Sequence, residues 1–156
     1  MPSPQTELLK GLSPDEAAAV TALGVRFTVP AGQVLFSLGE AADRMYLVIS
    51  GRVALTLPLN VGGTDEDVLV EERLAGETLG WSGLIPPHRF TLKASAVHAC
   101  ELIAFPRAAL LDHFEDHPAV GYTVARNVAS VMGHRLGVFQ TMWLREMQRT
   151  VELRQS

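Results

Sequence analysis

The pattern of apolar and polar positions changes period twice along the chain. Leu8, Leu9 and Leu12 fall at helical spacing within Thr6 to Leu12. Ser13-Pro14-Asp15-Glu16 then opens a second helix, with Ser13 as cap, Pro14 in the first turn and Glu16 completing a capping box. Ala17 to Leu23 sustain it and Gly24 is a plausible stop. From about residue 25 to 105 the period is two or the run is short and fully apolar. Val25–Val29 alternates, Gln33–Leu38 follows the turn Pro30-Ala31-Gly32, and Met45–Ile49 has the composition of a buried strand. Arg52–Leu57, Asp67–Leu74, Arg89–Val97 and Cys100–Phe105 complete the set, with Gly62-Gly63 in a long turn. Many short strands between Gly and Pro turns predict a β-barrel or sandwich.

The period then returns to helical. Pro106 to Phe114 predicts a short helix, and Asp116-His117-Pro118 a boundary. No proline interrupts residues 119 to 153, which allows a helix of roughly 30 residues and about 45–50 Å. That is too long to lie wholly on so small a domain, and a second copy is the expected partner. Val124, Val128, Val131, Val138 and Met142 fit a 4-3 seam that Arg135 interrupts. Met132, Leu136, Phe139 and Trp143 form a neighbouring face, and Gly133 and Gly137 would let two backbones approach. Both stripes also fit ordinary contacts within one chain.

Composition narrows the function classes. The chain has 156 residues, 47% hydrophobic and 19% charged, enough for a packed core and too apolar for disorder. Its net charge of −4 disfavours general nucleic-acid binding. A single cysteine, Cys100, excludes an internal disulfide and a cysteine zinc site. No apolar run approaches the roughly 20 residues of a membrane span, and the N-terminus lacks the features of a signal peptide. The expected setting is reducing and cytoplasmic, with no membrane association.

Enzymatic motifs are weak. Gly80-Trp81-Ser82-Gly83 is not a nucleophile elbow, because its second glycine comes one residue early. There is no phosphate-binding P-loop and no Gly-x-Gly-x-x-Gly. His113 and His117 are four apart beside Asp112, Glu115 and Asp116, yet no third ligand is evident and Pro118 marks a helix boundary. No metal site and no catalytic residue is expected.

The run from Pro30 to Val53, with Gly32, Gly39 and Gly51 at strand-joining turns, resembles the front half of the cyclic nucleotide-binding domain of catabolite-activator and Fnr-type regulators. Leu74 to Gly80 and Ala94 to Phe105 continue the resemblance. It implies a mainly β fold: an antiparallel β-roll, like a jelly roll, with N-terminal helices at 1–117 and a long C-terminal dimerisation helix at 118–156. It also implies a ligand between roll and long helix. In the family's phosphate cassette a glutamate takes the ribose hydroxyl and an arginine the cyclic phosphate.

That cassette here reads Gly80-Trp81-Ser82-Gly83-Leu84, then Arg89-Phe90-Thr91. Trp81 replaces the glutamate and has no acceptor. The arginine position falls on Phe90, with Arg89 one residue early. Neighbouring side chains on a strand point to opposite faces. Either a bulge turns Arg89 into the pocket, or Phe90 lines an apolar pocket and Arg89 points away. Phe139 and Gln140, near Trp143, would close the site from the long helix. Three readings remain open: cyclic-nucleotide binding through an altered cassette, a flatter or more apolar small ligand, and a degenerate pocket in a module that assembles with a protein partner. The family's DNA-binding members carry a helix-turn-helix after the long helix. The sequence ends at Ser156, and residues 126–156 hold five arginines against Glu146 and Glu152. DNA binding is therefore not expected, and homodimerisation is.

Overall fold

The computed structural model describes residues 6–155. Eight strands form two antiparallel four-stranded sheets: β1 (Val25–Val29), β8 (Cys100–Pro106), β3 (Arg44–Ser50) and β6 (Thr78–Leu79) in one, and β2 (Val34–Phe36), β7 (Lys93–Ala96), β4 (Arg52–Val61) and β5 (Thr64–Leu74) in the other. Helix α1 (Pro14–Thr21) precedes them, and α2 (Arg107–Asp116) and α3 (Pro118–Gln155) follow.

Strand alternation builds two cores. In β3, Tyr46 and Val48 face the space between the sheets, where they meet Phe36, Val53, Leu55 and Leu102. Met45 and Leu47 face the other way, with Ile103 and Phe105 of β8, and pack on Leu8, Leu9, Val20, Leu110, Val120, Val124 and Val128. Being buried on both faces explains why Met45–Ile49 reads as a continuous apolar run. The first row of α3 that fits a dimer seam, Val124, Val128 and Val131, is thus spent on this chain's own core.

Three local outcomes differ from the sequence reading. Thr6 to Gly11 forms turns rather than a helix, with Leu9 N–H to Thr6 O and Leu12 N–H to Leu9 O bonds and Gly11 at φ +90°. The Glu7 side chain is held instead by Arg73 and the Thr78 N–H. The long turn around Gly62-Gly63 is a two-residue hairpin loop, both glycines at positive φ, so β4 and β5 pair continuously from Arg52↔Leu74 to Val61↔Thr64 apart from one register shift. The strand expected from Arg89 begins only at Lys93, because the cassette loop occupies 84–92. By contrast the Ser13–Glu16 capping box is present in both directions. Gly24 lies beyond the end of α1, and its bare Cα permits close packing: a Cβ there would lie 2.2 Å from Ile103 Cγ2.

Gly51 turns β3 into β4 at φ +96°, and a Cβ there would lie 2.5 Å from Ala99 O and 2.7 Å from Cys100 Sγ. Left-handed strain and a backbone clash combine, so Gly51→Ala should lower stability by about 2 kcal/mol or more. Denaturant unfolding checks this, and an unchanged midpoint would contradict it.

Candidate functional site

The cassette leaves β6 through Gly80, whose φ of +76° reverses the chain into a short 3₁₀ helix, Trp81–Gly83. Gly83 sits so close to β3 that a Cβ would lie 2.2 Å from Arg44 O. Ser82 is buried and its carbonyl contacts His88 Nδ1 at 3.0 Å. Arg107, at the start of α2, donates to Ala42 O and to Gly83 O, tying the cassette to the roll's wall.

The register around Arg89 is resolved. Arg89 forms a bridge to Ala41 and is exposed, its guanidinium donating to Gly39 O at 2.9 Å. Phe90 is buried and stacks on Phe36 with ring centroids 3.7 Å apart and planes 10° apart. Phe36 in turn stacks on Tyr46 at 5.9 Å, and Tyr46 meets Phe27 edge-on at 6.0 Å. A ladder of four rings thus fills the roll from the cassette inward. Burial raises the Tyr46 phenol above its ordinary range, with Arg44 opposing that shift.

The remaining expected site residues divide. Phe139 reaches the roll and packs on its core, while Gln140 is exposed. Trp81 and Leu84 pack against the helix-side core rather than sandwiching a ring with Phe90, and Thr91 is exposed. The space left among Phe36, Leu55, Trp81, Phe90 and Arg135 is about 10 Å³, room for roughly one water.

Arg135 is the residue whose role the sequence concealed. It is 6% exposed and its Nε donates to Glu71 Oε2 at 2.6 Å, so α3 is pinned to β5 beside the cassette. Glu71 also accepts from Arg73 at 3.1 Å, and Arg73 donates to Thr78 O and to Glu7. The signal was an arginine continuing the buried row Val124, Val128, Val131, opposite a Glu-x-Arg on one strand face.

The chain belongs to the cyclic nucleotide-binding domain family, whose model matches residues 26–117. The catabolite activator protein of Thermus thermophilus has a similar structure, with 28% identity and a TM-score of 0.70 over 94% of this chain and 62% of that one. Glutaminase 1 of Bradyrhizobium diazoefficiens is 30% identical over 133 residues, 83% of this chain and 20% of that enzyme. Lysophospholipase NTE1 of Pyricularia oryzae is 29% identical over 104 residues, 67% of this chain. The chain spans only about 7% of the length of that lysophospholipase. The family is a regulatory one, and the two sheets with a long C-terminal helix are its β-roll fold. No helix among the described residues is long and apolar enough to cross a membrane.

Arg89 and Phe90, adjacent in the sequence, should respond oppositely to truncation. Phe90→Ala should cost about 3–5 kcal/mol through the cavity it opens, whereas Arg89→Ala should stay within about 0.5 kcal/mol. Urea unfolding of both variants checks this, and a larger loss at Arg89 would contradict the packing. Glu71→Ala should cost about 3 kcal/mol because it strands the buried Arg135. Adding Arg135→Met should recover much of that loss; a double variant no better than Glu71→Ala would contradict the pairing.

Proposed function

We propose that this chain is a non-enzymatic regulatory module whose resident nucleotide pocket is filled by its own side chains, and which signals by assembly through α3. The observation that carries this reading is the Phe90–Phe36 stack and the roughly 10 Å³ left beside it. Small-ligand pockets run to about 300–1,000 Å³. Trp81 offers no acceptor to a ribose hydroxyl, and the Arg89 guanidinium is turned to Gly39 O. Family resemblance favours cyclic-nucleotide binding; the side chains in the pocket favour the degenerate alternative. A cytoplasmic setting fits the single free Cys100.

The assembly surface is the outer face of α3. Its 38 residues make a helix of about 57 Å. Ala129, Gly133, Leu136, Gln140, Trp143 and Met147 follow one another at four- and three-residue steps, and all are exposed. Leu136 is 70% and Trp143 61% exposed, a cost that pairing with a second copy would remove. A Cβ at Gly133 or Gly137 would meet nothing within 4 Å, so this face is open to close approach. The seam lies one face over from the valine row that sequence periodicity highlights.

Millimolar cyclic AMP or cyclic GMP should leave the unfolding midpoint unchanged. Binding at 100 times Kd would add about 2.7 kcal/mol, and a shift of that size would overturn the filled-pocket reading. Sedimentation should give twice 16.9 kDa and fall to the monomer in Leu136→Glu/Trp143→Glu. A wild-type monomer at tens of micromolar would overturn the assembly reading.

A further inference from the structure

A second concavity among the described residues lies apart from the cassette. It is a cleft of about 1,000 Å³ where the N-terminal turns, the β5–β6 turn and the middle of α3 meet. We infer that this cleft binds a small phosphate monoester, held by Lys10 and Arg126, and bridges α3 to the roll. Its floor is preorganised. Asn127 of α3 donates both amide hydrogens, to Leu8 O at 2.8 Å and Lys10 O at 2.9 Å, fixing the N-terminal turns against the helix. The cleft's acids are already engaged. Glu7 accepts from Arg73 and from the Thr78 N–H, and Glu77 accepts from the Leu74 N–H at 2.7 Å and lies 3.8 Å from Arg73.

The cations at the rim are not engaged. Neither Lys10 nor Arg126 has a carboxylate partner among the described residues; Arg126 lies over the Tyr122 ring at 5.9 Å, which leaves its fork of donors free. His134 lines the same cleft. Thr6 lines the cleft as well, is 7% exposed, and its Oγ1, closed off from solvent, has no hydrogen-bond partner among the described residues. Buried hydroxyls are ordinarily satisfied. An ammonium, a guanidinium and hydroxyl donors suit a doubly charged phosphate. The Asn127 Oδ1, left over once its amide hydrogens are used, suits a hydroxyl of the esterified group. The cleft draws on α3 and the roll together, so an occupant favours the helix placement seen here.

Calorimetric titration of the whole chain with ribose 5-phosphate and with inorganic phosphate tests this. The expected result is saturable binding of one ester per chain, with Lys10→Gln and Arg126→Gln each weakening it about tenfold or more and Arg89→Gln leaving it unchanged. Inorganic phosphate binding as tightly as the ester would make free phosphate the ligand, with the cleft assignment standing. Absence of saturable binding by either compound would overturn the proposal. So would binding that survives Lys10→Gln/Arg126→Gln, or that depends on Arg89, which would place the ligand at the cassette and count against the filled-pocket reading as well. Circular dichroism of each variant separates lost binding from lost folding.

Discussion

The stack of Phe90 on Phe36 occupies the space between the two sheets where the cassette closes over β3. Everything around that loop conforms to it. Gly80 turns the chain at φ +76°, where an L side chain is strained, and a Cβ there would also lie 3.3 Å from Phe90 and from Tyr46. Arg89, adjacent to a ring that points inward, has to point outward, and finds a backbone carbonyl at the surface. An interior filled by aromatic rings gains burial and ring–ring contact, and it gives up the volume and the charge complementarity that an anionic ligand needs. The family's fold is retained, and in the function proposed above the aromatic stack takes the place of its ligand chemistry.

The second constraint is ionic. Arg135, Glu71, Arg73 and Glu7 form a chain of pairs from α3 through β5 to the N-terminal turns. Such pairs contribute little net stability but are costly to break singly, and they fix one relative placement of the parts they join. The helix is therefore held to the roll by specific directional contacts near the aromatic stack. Beyond Phe139 it leaves the roll, and its exposed face carries Trp143 and Met147. Placement of the helix is the quantity that a ligand or partner would change. The cleft rimmed by Lys10 and Arg126 adjoins that linkage, sharing Glu7 and Arg73 with it.

Much of the fold was legible because its signals are local. The Ser13–Glu16 capping box, the twofold alternation of β1, the doubly buried run of β3 and the long proline-free helix each follow from neighbouring residues. The hairpin at Gly62-Gly63 was underestimated because its strands are largely polar and exposed. Residues 6–12 have helical spacing, yet tertiary contacts of Glu7 and the left-handed Gly11 override it. At the site, the Arg89/Phe90 alternative could be stated from strand geometry but not settled, because the loop's path depends on how Pro86 to Phe90 returns to the sheet. Arg135 reads locally as a seam defect: it continues the buried valine row, but its partner Glu71 lies 64 positions away and the row alone does not say which acid it meets. The outer face of α3 was legible in part, with Leu136 and Trp143 grouped beside Met132 and Phe139 and with Gly133 noted for close approach. Its apolar positions are diluted by Ala129, Gly133 and Gln140, and the valine row gave the stronger periodic signal.

In the proposed function the roll keeps its own aromatic ring, Phe90, where a nucleotide would otherwise sit. A crystal structure of the chain grown in millimolar cyclic AMP tests it most directly. The expected result is Phe90 stacked on Phe36 at its present distance, with no nucleotide between the sheets. Phe90 swung out, with a cyclic phosphate beside Gly80 to Leu84 and Arg89 turned toward it, would contradict the account.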